Sequence, residues 1–117
     1  MSNNKEFILY NRLNMYCKYV KRYVIPDIPA IHHDIKIHFN DELYHIVQLL
    51  FYADYTKGNV RMKYLTDMLV SLSMLNHLSD SLLDIIKNDK HLVKSLEMLG
   101  YIKSMVLAWR KSVDEKS

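Results

Sequence analysis

The chain is short of everything that turns, crosslinks or spans. Two glycines and two prolines in 117 residues leave little material for the turns of a β-sandwich or barrel. A single cysteine, Cys17, excludes an intrachain disulfide, and nothing points to an oxidising compartment. It falls on the apolar side of the first helical pattern, which suits a buried, inert thiol. No apolar run approaches the roughly 20 residues that cross a bilayer, so no membrane association is expected. The opening residues Met1 to Glu6 carry no hydrophobic signal core, and the expected location is the cytoplasm. Positive charge is modest: a formal net charge of +3 does not announce a nucleic-acid partner by itself, so such a partner must be argued from where the cations sit. Also missing are a glycine-rich phosphate loop, a nucleophile elbow, HExxH and a paired-carboxylate motif. With few loops to build a pocket, the chain does not read as an enzyme, and no cofactor or small-molecule substrate is expected.

What the chain has is apolar periodicity. Half of its residues are hydrophobic, too many for a disordered segment, and its length fits one domain with one core. Leu9, Leu13, Tyr16, Val20 and Tyr23 recur at helical spacing, predicting a helix over about 5–24. Pro26 ends it by removing a donor and restricting Ile25. Ile25 to Ile31 then forms a stiff elbow, with Ile28 and Ile31 expected to tuck against the bundle. A second helix over about 34–55 presents Phe39, Leu43, Ile46, Leu50 and Ala53. Gly58 is expected to close it in left-handed geometry and Asn59 to cap the next helix. The third runs over about 60–86, and Asn88-Asp89 caps a fourth over about 90–113, with Leu92, Leu96, Leu99, Ile102, Val106 and Trp109 as its stripe. Gly100 inside it predicts a close helix crossing, and Asp114 to Ser117 are expected to fray. Short connections favour antiparallel neighbours. The fold class is therefore all-α, an up-down-up-down four-helix bundle forming a single domain over 1–117.

The third helix carries two stripes. Met62, Leu65, Leu69 and Leu72 make one, and Met68, Leu75, Leu78, Leu82 and Ile85 make an adjacent one. A helix on the surface of a globular domain normally shows one. The excess predicts assembly into an oligomer through Met68, Leu75, Leu78 and Leu82, with Trp109 as a core or subunit-interface residue.

Four segments in order bring a family into view: Tyr23-Val24-Ile25-Pro26 with Ile28-Pro29, Ala53-Asp54-Tyr55-Thr56, the run Leu65 to Leu83, and Met105-Val106-Leu107-Ala108-Trp109-Arg110-Lys111. Over about Tyr19 to Lys111 the chain resembles the Avd proteins, the accessory variability determinants of diversity-generating retroelements. It is also similar to the related four-helix proteins encoded in intervening sequences of bacterial 23S rRNA genes. The resemblance implies a ring-shaped homopentamer with a basic surface. In the retroelement branch it implies a non-enzymatic accessory that binds the reverse transcriptase and its template RNA or RNA/DNA hybrid. Where that family commonly has a lysine and then an arginine after the second proline, this chain has Ala30 and His33. The alternatives are a bundle of the intervening-sequence type with a structural or unknown binding role, and a purely structural oligomer.

The residues that would carry nucleic-acid binding are Lys18, Lys21 and Arg22, then Arg61 and Lys63, then Lys103, Arg110 and Lys111. Neutralising phosphates releases counterions, and Tyr19 and Tyr23, interleaved with the first group, suit stacking on unpaired bases. An ordinary solvated face, with lysine stems lying along apolar surface, accounts for the same cations. Asp34, His38, Asp41 and His45 fall at 4-3-4 spacing, a spacing at which histidine and carboxylate can share a divalent ion, although a solvated polar face explains it equally. His77 reads as a satisfied core or interface histidine. Asp67, Asp80 and Asp84 are placed to pair with lysines or to meet a cationic partner.

Overall fold

A computed structural model describes residues 4–116, with side chains from Glu6 onward; Met1 to Asn3 and Ser117 lie outside the described residues. Four helices follow one another: α1 (Asn4–Tyr23), α2 (His33–Tyr55), α3 (Gly58–Leu82) and α4 (Lys90–Lys116). Each packs on its neighbours around one core, and the bundle measures 47 × 22 × 19 Å. Among the described residues there is no strand, and no helix is long and apolar enough to cross a membrane.

The apolar stripes explain this arrangement. Leu9, Leu13, Tyr16 and Val20 of α1, Phe39, Leu43, Ile46 and Leu50 of α2, Leu65, Met68, Leu72, Leu75 and Leu82 of α3, and Leu92, Leu99, Ile102 and Val106 of α4 are all buried. Each contributes about 1.5–3 kcal/mol relative to exposure. Because α3 packs against α2 on one flank and α4 on the other, it needs a wider apolar arc than a helix with one neighbour. That arc overturns the expected subunit contact. Met68, Leu75, Leu78 and Leu82 are buried in the chain's own core, so these four residues are covered within one chain, and the apolar side chains that α3 leaves exposed are Val60, Val70 and Met74.

The connections are built differently from the sequence expectation. Between α1 and α2 the elbow forms two short 3-10 turns, Ile25–Asp27 and Ala30–His32. Ile28 is buried as expected, but Ile31 is 86 % exposed. Gly58 does adopt left-handed geometry, with φ of 59°, yet it opens α3 instead of closing α2, and Asn59 lies within the first turn of α3 rather than capping it. The end of α2 is held by Thr56, whose hydroxyl donates to the Tyr52 carbonyl at 2.7 Å. α3 stops at Leu82, before the expected boundary, and the chain turns so that the Ile86 N–H returns to the Leu82 carbonyl at 2.9 Å. Asn88 caps α4 by accepting from the Lys90 N–H at 3.3 Å. α4 continues through Asp114 to Lys116, with Val113 buried, where fraying was expected; Ser117, the last residue of that expectation, lies outside the described residues.

No helix crosses closely at Gly100, where an added Cβ would meet nothing within 4 Å. Gly100→Ala should therefore stabilise the bundle by about 0.5–1 kcal/mol by restricting the unfolded chain, measured by urea denaturation. Met68→Ala or Leu75→Ala should cost about 2–5 kcal/mol in the same assay, as expected for residues of the monomer's core.

Candidate nucleic-acid interface

Alternating helix direction decides which cations can act together. α1 and α3 run one way and α2 and α4 the other, so the C-terminal end of α1 meets the start of α4. There the Tyr19 hydroxyl and His91 Nδ1 hydrogen-bond at 2.8 Å, and the Tyr23 ring stacks on His91 with centroids 4.7 Å apart. Lys18, Lys21 and Arg22 belong to this end. Arg61, Lys63, Arg110 and Lys111 belong to the opposite one. The stretch of α4 from Lys90 to Arg110 separates the two groups by about 30 Å of helical rise. The predicted basic residues thus form no single patch, and exposed Lys103 lies between the groups on α4.

At the α1 end, cations and tyrosines interleave. Lys21 places Nζ 3.8 Å from the centroid of Tyr44, a ring that is 67 % exposed. The guanidinium of Arg22 lies 5.4 Å from the ring of exposed Tyr23. Lys18 projects from the outer face of α1 and has no ion-pair partner among the described residues. Cation–π contacts of this kind are worth about 0.5–1 kcal/mol when exposed and hold long side chains over flat rings without neutralising them. Both rings engage His91: half-buried Tyr19 hydrogen-bonds to it, and exposed Tyr23 stacks one face on it. Burial, with Tyr23 second, raises the Tyr19 phenol above the ordinary tyrosine value. Tyr44 is the functional candidate that the spacing of the basic residues did not single out, because it sits on another helix.

The opposite end spends its cations internally. Arg61 is not a surface cation. Its Nε donates to the Ala53 carbonyl at 2.8 Å and Nη2 to the Asp54 carbonyl at 3.0 Å, satisfying the last turn of α2. Nη1 lies 3.9 Å from Glu6 Oε1, and the guanidinium sits 5.3 Å from the Trp109 ring. Trp109 is half-buried, packed against the core and lying beneath Arg61. Lys63 pairs with Asp67 at 3.8 Å, and Arg110 Nε donates to the Thr66 hydroxyl at 3.1 Å. Exposed Lys111 remains at this end.

The histidine face of α2 opens onto a groove of about 490 Å³ between α2 and α3, lined by His38, Asp41, Glu42, His45, Met74 and His77, with Leu78 at its base. Asp34 is not among its walls. Glu42 is already engaged: its Oε2 contacts His45 Nδ1 at 2.8 Å and accepts from the Ser71 hydroxyl at 2.6 Å. His77 is exposed rather than buried, which corrects the core reading. Among the described residues no three His, Cys, Asp or Glu side chains are placed to hold a metal ion. Cys17 is buried, and burial pushes its thiol up to about 11, with Lys21 pulling it down; such a thiol makes a poor nucleophile.

No family model, curated protein or solved structure matches the chain. Arg61→Ala should lower unfolding free energy by about 2–4 kcal/mol, because it leaves the Ala53 and Asp54 carbonyls without their guanidinium donor and removes a cation from beside buried Glu6. Arg61→Lys should recover only part of that, since an ammonium lacks the fork that reaches three acceptors; chemical denaturation of both variants reads the difference.

Proposed function

We propose that this chain is a non-enzymatic accessory protein that binds single-stranded or locally unpaired RNA, or an RNA/DNA hybrid, through the C-terminal half of α1 and the adjoining face of α2. The observation that carries this reading is the interleaving of Lys18, Lys21 and Arg22 with the exposed rings of Tyr44 and Tyr23. Phosphates would meet the cations and unpaired bases would stack on the tyrosines, a combination that tolerates many sequences. The likeness to the Avd proteins supplies the partner, a reverse transcriptase whose template RNA the bundle would help to present.

Self-assembly belongs to the same proposal, on a different surface from the one that α3 suggested. Along the outer face of α1 and α2 the cations give way to Phe7, Ile8, Met15, Phe51 and Tyr55, all exposed. Tyr10 bridges them, its ring 5.8 Å from that of Phe51. Exposed apolar side chains of this kind suit contact with another protein. Copies joined there would repeat the basic end at regular intervals, so that three cations per chain become a ring. A pentamer is the number that the family likeness implies.

Replacing Lys18 and Lys21 by glutamate should weaken RNA binding by at least tenfold, and the slope of log K against log salt should fall by about 2. Lys63→Glu should leave both nearly unchanged. Fluorescence anisotropy with a labelled RNA at two salt concentrations reads both. Equal losses from both variants would transfer the contact away from α1, and no binding by the unmutated chain would leave a protein–protein scaffold as the better account.

A further inference from the structure

The basic end of α1 is joined to a second element, the start of α4. Chain direction brings Lys90 and His91, the first residues of α4, beside the last turns of α1. His91 makes the joint. Its Nδ1 hydrogen-bonds with the Tyr19 hydroxyl at 2.8 Å, and its ring lies nearly parallel to that of Tyr23, at 16° with centroids 4.7 Å apart. Tyr19 and Tyr23 also pack on each other, with centroids 4.9 Å apart. Three rings from two helices are thus held in one cluster, and Tyr23 is still exposed. A ring whose position is already fixed loses little freedom when a base stacks on it. Cations flank the cluster on both sides. Lys21 lies over Tyr44 on the α2 side, and Lys18 and Arg22 are exposed on α1. On the α4 side, Lys90 and Lys87 are exposed with no ion-pair partner among the described residues. Asp27, Asp34 and Asp89 also belong to this end, and α3 finishes with exposed Asp80 and Asp84 at the corner across the bundle from α1. A polyanion is repelled from that corner and kept to the α1 side.

Resting on the RNA reading above, we infer that the strand crosses the end of the bundle from Tyr44 of α2, over α1, to Lys90 of α4, and that His91 positions Tyr23 for base stacking. Neighbouring helix axes lie about 8–10 Å apart, so the path over three helices is about 16–20 Å wide. That width suits a short unpaired stretch. A duplex keeps its base faces stacked internally and offers the tyrosines nothing to bind. Lys90 meets a phosphate at the far side of the path. His91 touches the tyrosines rather than the RNA, and acts by holding the Tyr23 ring in place.

Fluorescence anisotropy with a labelled single-stranded RNA over a range of salt separates the two roles. Lys90→Gln should weaken binding severalfold and lower the slope of log K against log salt by about 1. Lys116→Gln, at the other end of α4, should change neither. His91→Ala should weaken binding about fivefold or more while leaving the slope intact, because it removes stacking and no phosphate contact. His91→Phe, which keeps a ring against Tyr23, should recover most of that loss. A slope that falls with His91→Ala would mean that the α1 cations had moved as well, and would overturn the positioning role. Equal losses from Lys90→Gln and Lys116→Gln would overturn the path. So would unchanged binding by Lys90→Gln and His91→Ala beside a loss from charge reversal at Lys18 and Lys21, an outcome that leaves the α1 site standing. No binding by the unmutated chain would overturn both.

Discussion

The guanidinium of Arg61 is the constraint on which one end of the bundle depends. Helices that meet at a tight turn present unpaired carbonyls to one another, and here Arg61 donates to two of them, those of Ala53 and Asp54. Arg61, in the first turn of α3, reaches back to the last carbonyls of α2, approaches a buried carboxylate of α1 and covers the indole of α4. One planar fork therefore fixes the relative positions of four chain segments. A lysine could neutralise Glu6 but could not also cap α2 in the same geometry.

This commitment divides the molecule. The Arg61 end uses its charge to hold helices together, with Lys63 and Arg110 tied to neighbouring side chains as well. The far end keeps Lys18, Lys21 and Arg22 on the surface and sets tyrosine rings beneath two of them. A modest net charge is thus compatible with a concentrated cationic face, because only a fraction of the basic residues contributes to it. The apolar surface lower on α1 and α2 lies on the same side, which links our proposed self-contact and RNA surface through helix direction alone.

Helix number and the core were legible in the sequence, because helical periodicity survives in every element and the sparse glycine and proline leave few places to break it. The meaning of the second stripe on α3 was not. Periodicity reports how wide an arc is buried, not whether the covering helix belongs to the same chain, and here α2 and α4 cover both flanks. Arg61 escaped for a related reason. An arginine that caps a different helix has no local spacing that separates it from a solvated cation, whereas Asn88, which caps its own helix, was readable. Ile31 and Gly100 mark the same boundary: isoleucine in an elbow and glycine in a helix each suggested a contact, and in this chain neither residue makes it. For the candidate site, the α1 cations were visible as a cluster, but Tyr44 reaches them only through the antiparallel pairing of α1 with α2.

The most direct test of the account is to map a short single-stranded RNA onto the protein by amide NMR shifts. The account predicts perturbations centred on 18–23 of α1 and on Tyr44 of α2, with the surroundings of Arg61 undisturbed. Perturbations centred on Lys63, Arg110 and Lys111, or none anywhere, would contradict it.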